Sequence, residues 1–325
     1  MPSKALLGRR ANGPIARALG PDEKNKLTRL QDSRFGTSPP DLPAGACDCH
    51  VHIFGPVERF SFAANRRFTP GPASVEELLE LQMSLDLERA VLVQPSPYGI
   101  DNACLLAALT QLGERARGVA AIDAEASDDE LRALHAAGVR AARLNLETSR
   151  ETDAISAEAR LRALAARVAG LGWHVQLYAG AALIADLEGA ILELPVPVVI
   201  DHFGQLAAAQ GPSQPALEPL LRLLQSGRVY LKLSAPYRIS SLADYSDVAP
   251  LARLLIAHAP QRMLWGTDWP HTGPIPGIPR RPDILEPFRP VDDGAALRRL
   301  IEWAPDRAVL RAILVDNPAR LFDFN

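Results

Sequence analysis

The chain has 325 residues, of which 47% are hydrophobic and 22% charged, and its formal net charge is -3. That balance belongs to a globular protein with a large core, and it excludes the basic footprint of a nucleic-acid binder and a polybasic membrane patch. No apolar run approaches the ~20 residues a membrane helix needs, and three cysteines, Cys47, Cys49 and Cys104, make no disulfide framework and point to a reduced, cytoplasmic setting.

Residues 1–44 are rich in polar, Gly and Pro positions and read as an N-terminal arm, with a short helix expected near Asp22 to Gln31. Whether the arm wraps the following domain or the partner subunit of a homo-oligomer stays open. Arg9-Arg10 invites an export reading, but Asn12, Gly13, Pro14 and Arg17 leave no apolar stretch behind it. From Ala46 onward, short β-type runs alternate with amphipathic helical runs. Strands are predicted at 46–53, 89–94, 117–122, 139–145, 173–178, 196–201, 228–234 and 262–267. Val, Ile, Leu and Ala dominate most of them, as in strands buried on both faces. Between them, Ser74-Val75-Glu76-Glu77 and Ser127-Asp128-Asp129-Glu130 carry helix start signals, the second with a capping-box spacing, and Ala157 to Ala169 is rich in helix formers. Eight strands alternating with helices imply a parallel sheet. Count and length fit one closed (β/α)8 TIM barrel over residues 45–325, with an open doubly wound sheet as the rival. The Pro/Gly-rich stretch 269–290 is too long for a plain connector and reads as a structured lid or rim loop after the eighth strand.

In such a barrel, functional groups gather at the C-terminal ends of strands. The first strand ends in His50-Val51-His52, whose i, i+2 spacing projects both imidazoles to one face, with Asp48 on that face and Cys47 and Cys49 packing opposite as small apolar groups. The second ends at Gln94-Pro95-Ser96, and the fourth at Arg143-Leu144-Asn145, with Arg150 close behind. The fifth ends at Tyr178, the sixth at Asp201-His202, the seventh at Ser234-Ala235-Pro236-Tyr237-Arg238, and the eighth at Asp268, followed by His271. Each has a structural reading too: a cap or ion pair for Asp268, a core histidine for His202, ion-pair partners for Arg143 and Arg238, a turn for Ser96, a packed ring for Tyr178. Coincidence favours function, since three of seven histidines reach the expected rim. His135 and His258 fall in helical runs, His174 lies at the wrong end of its strand, and His271 either lines the mouth or orders the loop. Neither a Gly-x-Ser-x-Gly elbow nor a phosphate or dinucleotide glycine motif is present.

Four segments together, Asp48-Cys49-His50-Val51-His52, Val199-Ile200-Asp201-His202-Phe203-Gly204, Trp265-Gly266-Thr267-Asp268-Trp269-Pro270-His271 and Val315-Asp316-Asn317-Pro318-Ala319-Arg320-Leu321, resemble the amidohydrolase superfamily. Within it the chain is most similar to the lactonase group that opens 2-pyrone-4,6-dicarboxylate, also through Arg66-Arg67-Phe68-Thr69-Pro70, Gly172-Trp173-His174-Val175 and Lys232-Leu233-Ser234. The resemblance runs from about Cys47 to the C-terminus and implies a (β/α)8 barrel that hydrolyses a lactone. Most members hold divalent metals on the first-strand histidines, histidines of strands five and six, and the eighth-strand Asp. Here Tyr178 or Gln176 stands where the fifth-strand histidine belongs, and no bridging Lys or Glu is evident on strand four. The resemblance thus favours a site without metal or other cofactor. The alternative is a single Zn²⁺ on His50, His52, His202 and Asp268, in a lactonase or decarboxylase. On the favoured reading Asp268 is the base that activates water, and His50, His52 and His202 donate hydrogen bonds to the carbonyl oxygen. Arg143 and Arg238 clamp substrate carboxylates, and Ser96, Tyr178, Arg150 and His271 add contacts. Phe68 in place of a tyrosine, the Thr272-Gly273 region in place of an asparagine, and an altered charge in Glu147-Thr148-Ser149-Arg150 leave the identity of the lactone open. The expected partner is a small anionic lactone, 2-pyrone-4,6-dicarboxylate or a related carboxy- or sulfo-muconolactone. A barrel that binds without turnover is a third reading.

Overall fold

The computed structural model describes residues 41–324 except 124, 276, 277 and 279. The expected arm, with Arg9-Arg10 and the helix near Asp22 to Gln31, therefore lies outside the described residues apart from its last positions, where Leu42 packs into the core.

Eight parallel strands follow one another around the sheet in chain order. They are β1 (Cys47–Val51), β2 (Arg89–Val93), β3 (Ala116–Ala120), β4 (Val139–Asn145), β5 (His174–Tyr178), β6 (Val198–Ile200), β7 (Val229–Ser234) and β8 (Met263–Gly266). Every predicted strand is present, with ends displaced by at most two residues. β8 returns to β1 through a parallel bridge between Val51 and Trp269 and two backbone bonds, Asp268 N to His50 O at 2.9 Å and His52 N to Trp269 O at 2.8 Å. The sheet thus closes at the mouth as a (β/α)8 barrel, not as the open rival.

The helix signals act as expected. Ser74 caps helix α1 (Val75–Leu85), its hydroxyl accepting from Glu77 N at 3.2 Å while the Glu77 carboxylate accepts from Ser74 N at 2.8 Å. Ser127 and Glu130 do the same for Asp128–Ala136. The long helix after β4 spans Ala154–Val168 and begins ahead of the predicted 157, because Asp153 accepts from Ile155 N and Ser156 N and nucleates the first turn. Leu78, Leu161, Leu220, Leu251 and Leu300 bury the helices' inner faces against the barrel.

The two barrel ends differ. At the strands' N-terminal ends the C-terminal tail forms a plug: Phe322 and Phe324 pack with Cys47, Cys49, Val91 and Val119, and Arg89 and Arg117 lie over the Phe324 ring at 5.2 and 4.7 Å. At the other end, Leu285–Glu286 of the 269–290 stretch pairs in parallel with Thr69–Pro70. Among the described residues no helix is long and apolar enough to cross a membrane.

Candidate active site

Barrel closure brings the first and eighth strands edge to edge, and β8 can approach β1 so closely because residue 266 is glycine. A Cβ there would lie 2.7 Å from His50 N and 2.8 Å from His50 Cβ. Asp48 reinforces the seam: its carboxylate accepts from Thr267 Oγ1 at 2.6 Å, Thr267 N at 3.0 Å and His50 N at 3.1 Å. Strict alternation puts Asp48 beside the histidines, but the register of β1 shifts between Asp48 and Val51, and Asp48 serves the seam instead of the cluster.

Three imidazoles converge on one carboxylate oxygen. Nε2 of His50, His52 and His202 lies 3.5, 3.6 and 3.9 Å from Asp268 Oδ1. The His50 ring centroid is 5.0 Å from that of His52 and 4.7 Å from that of His202. The spatial convergence expected from the strand ends is therefore present, and the group is buried. The backbone here is unusual as well. His202, Phe203, Ala235, Asp268 and His271 all have positive φ between 50° and 71°. Non-glycine residues in this region carry strain that surrounding structure must hold, a pattern concentrated at functional sites.

The far side of each group determines what it can do. His52 Nδ1 lies 2.7 Å from the Val93 carbonyl, which only accepts, so the His52 proton sits on Nδ1 and its Nε2 carries a lone pair. This corrects the expected role of His52 as a donor to substrate: in its neutral form it accepts. His202 Nδ1 pairs with Ser234 Oγ at 2.8 Å. Asp268 Oδ2 is saturated, receiving Tyr237 OH at 2.5 Å and Arg238 Nη2 and Nε at 2.6 and 3.1 Å. Asp268 Oδ1, by contrast, is buried with no hydrogen-bond partner, and so is His50 Nε2. One oxygen is locked and the other is free toward the imidazoles.

Electrostatics follow from this packing. Burial opposes ionisation of Asp268, but Arg238 and the imidazoles outweigh it and hold the carboxyl well below the usual carboxylate range. Burial, with Arg143 next, lowers His52 to about 4, and burial lowers His202 to about 3. His50 is pushed down by burial and by Lys232. Near neutrality the cluster is one carboxylate facing three neutral rings.

The other expected residues divide. Arg143 reaches the rim from β4, donates to the Gln94 carbonyl at 2.7 Å and keeps a buried Nε without a partner. Tyr178 lies edge-on to His202 at 5.0 Å, and its hydroxyl receives Arg238 Nη1 at 3.4 Å. Ser96 stands on the rim in the turn Ser96–Tyr98. Arg238 is less free for substrate than expected, since it also donates to the Thr272 carbonyl at 2.7 Å. One expectation finds no counterpart in this geometry. Arg150 sits exposed in a turn at φ 57°, and none of the site's hydrogen bonds involves it. His271 orders the loop, its Nε2 meeting Asp293 Oδ2 at 3.1 Å on the helix Asp293–Trp303, while its Nδ1 is buried without a partner. Tyr237, Lys232, Gln176 and Asp201 were not predicted as site residues. The available signal for Lys232 was a lysine inside an otherwise apolar strand.

The donor set also passes a metal test. Zn–N and Zn–O bonds of about 2.1 Å place tetrahedral ligand atoms about 3.4 Å apart, close to the spacings around Asp268 Oδ1. His50, His202 and Asp268 offer ligand atoms all within 4.8 Å of one another, and two of the orphaned buried atoms belong to this set.

Comparison with known proteins places this geometry. The amidohydrolase family matches residues 47–324. A 2-pyrone-4,6-dicarboxylate hydrolase of Comamonas testosteroni is 37% identical over 291 residues, covering 86% of this chain and 91% of that protein. A 4-sulfomuconolactone hydrolase of Rhizobium radiobacter is 36% identical over 286 residues, with coverage of 86% and 91%. The crystal structure of a putative 2-pyrone-4,6-dicarboxylic acid hydrolase from Pseudomonas putida superposes with a TM-score of 0.73 at 30% identity, covering 87% of this chain and 99% of that one.

Proposed function

The chain belongs to the amidohydrolase family, and we propose on that premise that it hydrolyses a small anionic lactone by Asp268-activated water, without a metal. The observation that carries this reading is the asymmetry of Asp268. Oδ2 is fixed by Tyr237 and Arg238, while Oδ1 is buried, unpartnered and faced by three imidazoles. A water at Oδ1 is oriented by that oxygen and by the His52 Nε2 lone pair, both acceptors, so its own lone pair points outward toward an ester carbon. Asp268 takes the proton as the water attacks and returns it to the ring oxygen as the lactone opens. The carbonyl oxygen gains charge and is met by the imidazoles able to donate, His50 and His202.

The substrate's charge is read by arginine. Arg143 has an unpaired Nε and is the freer anchor for a carboxylate or sulfonate. Arg238 has one nitrogen, Nη1, directed away from Asp268 toward Tyr178, and this pair with Ser96 supplies the second contact. The names of the relatives point the same way, since the C. testosteroni protein acts on a dicarboxylate and the R. radiobacter protein on a sulfomuconolactone. Turnover of 2-pyrone-4,6-dicarboxylate, 4-sulfomuconolactone and a carboxymuconolactone by the purified chain tests the reading. Opening of at least one is expected, and no turnover of any overturns it.

Charge balance supports the metal-free form. Asp268 is already paired with Arg238 at 2.6 Å and Asp201 with Lys232 at 3.5 Å, so a dication meets no uncompensated acid. The converging Nε2 atoms favour a second reading, in which His50, His52, His202 and Asp268 hold one Zn²⁺. The chemistry such an ion supplies is carbonyl polarisation and a lowered water pKa. Elemental analysis with chelation decides between them: turnover that survives removal of all metal fits the first, and about one Zn per chain with loss of rate on its removal fits the second.

A further inference from the structure

Beneath the catalytic cluster the barrel buries a lysine. Lys232, on β7, is fully inaccessible, as are His50, Gln176 and the Asp201 carboxylate. Its ammonium donates to Gln176 Oε1 at 2.6 Å, and Gln176 Nε2 donates to Asp201 Oδ2 at 3.0 Å. That polarity is forced, because an ammonium only donates and a carboxylate only accepts. The other contacts of Lys232 Nζ are Asp201 Oδ1 at 3.5 Å and His50 Nδ1 at 3.3 Å. Burying an ammonium is costly unless it is paired and hydrogen-bonded, and the mechanism above makes no use of this one.

Its position bears on a choice that His50 must make. His50 Nδ1 has two neighbours, Lys232 Nζ at 3.3 Å and Asp201 Oδ1 at 3.4 Å. A proton on Nδ1 would suit Asp201 but would confront the N–H groups of the ammonium. A lone pair on Nδ1 accepts from Lys232 and leaves Asp201 to pair with the same cation. The second arrangement puts the His50 proton on Nε2, the buried unpartnered nitrogen 3.5 Å from Asp268 Oδ1. His52 has the opposite arrangement, because the Val93 carbonyl takes its Nδ1 proton. Two imidazoles of one His-x-His pair are thus set as donor and acceptor by what lies behind them.

We propose that Lys232, braced by Gln176 and Asp201, is a positioning residue that fixes the proton of His50 on Nε2, so that His50 donates into the site while His52 accepts. The tautomer rests on this geometry and on the metal-free form of the reading above, since a Zn²⁺ on His50 Nε2 would leave no proton there; its catalytic consequence rests on the lactonase reading. The lysine does not touch the reacting atoms. It acts through His50, supplying the donor that the growing oxyanion needs.

The experiment is ¹⁵N NMR of the full chain labelled at histidine, with the His50 signals assigned by their loss in His50→Gln. In the wild type, His50 should show a protonated Nε2 and a bare Nδ1, the reverse of His52. In Lys232→Met the His50 proton should leave Nε2 for Nδ1, facing Asp201. Lys232→Met/Asp201→Leu removes the buried charges as a pair, leaves no donor facing His50 Nδ1, should fold where the single variant does not, and should also lose the pure Nε2–H signature. Wherever turnover is measured, kcat should fall about 100-fold, the effect of one oxyanion donor, with KM little changed. A wild-type His50 protonated on Nδ1 overturns the proposal, as does an unchanged His50 signature in the folded variants. A lysine that merely stabilises the barrel would lower yield or melting temperature and leave the tautomer alone. Failure of the lactonase reading would appear as wild-type inactivity and would not alter the spectra.

Discussion

The two ends of the barrel use the same residue type to opposite effect. At the floor, His174 on β5 lies edge-on to Phe322 at 4.9 Å, and both of its ring nitrogens are buried without a partner. At the mouth, His50, His52 and His202 each have Nδ1 facing a definite group and Nε2 directed at Asp268. All four rings are buried and lowered in pKa by burial before any other cause. Burial alone therefore does not mark a catalytic histidine. What marks one is a second nitrogen whose partner is missing until substrate arrives, beside a first nitrogen whose partner is fixed.

The comparison breaks most sharply at Asp268. Asp268→Asn keeps the shape and removes the base, so kcat on the responsive lactone should fall by about 10²–10⁴-fold. Rates within about threefold of wild type would show that the mouth cluster is no more catalytic than the floor.

Acid should act on both ends together. In the folded chain His52 is lowered to about 4 and His174 and His202 to about 3, whereas unfolded histidine titrates near 6.5. Between those values the unfolded chain binds more protons, so stability is fully present above about pH 6.5 and lost as pH falls toward 4. Asp48 works against this, since burial first raises its carboxyl to about 7, but it is one group against several. Chemical denaturation at pH 7.5 and pH 5 should show a loss of a few kcal/mol, and equal stabilities would refute the neutral-imidazole assignment.

Tyr237→Phe sharpens the account of the mouth. It removes the 2.5 Å bond to Asp268 Oδ2, freeing the carboxyl to rise toward its ordinary range. The acid limb of kcat/KM should move to higher pH with a loss of about tenfold or less, roughly the value of one hydrogen bond to a charged group. An unmoved limb would leave control of Asp268 with Arg238 and the imidazoles.

The smallest effect belongs to the floor. His174→Leu removes two unsatisfied nitrogens from an apolar layer and should leave kcat and KM within about twofold, with stability unchanged or raised by about 1 kcal/mol. It should also remove part of the acid loss. A large fall in kcat would give the floor a role in the chemistry.

Much of this was legible in the sequence. Hydrophobic runs of strand length spaced by capped helices specify a parallel barrel, because the periodicity and the cap at Ser74 are local properties of the chain. That rule put His50, His52, His202 and Asp268 at one rim without any distance in hand. The same logic carried less far beyond the strand ends, since a residue there goes where its loop goes: Arg150 to solvent, and His271 with one nitrogen on Asp293 and the other buried without a partner. Tyr237 stands in the run just after β7, and nothing in that run signals that its hydroxyl reaches Asp268.

Sequence alone determined the barrel and which groups could meet at its mouth. Only the closed fold decided which way each group faces: that His52 accepts, that Asp268 has one oxygen locked and one free, and that Lys232 lies behind His50. The physical reason is that strand and helix preferences are settled within a few residues of chain. A hydrogen-bond partner, by contrast, is chosen by barrel register between strands as far as 219 positions apart, where only the closed fold brings the two groups within bonding distance.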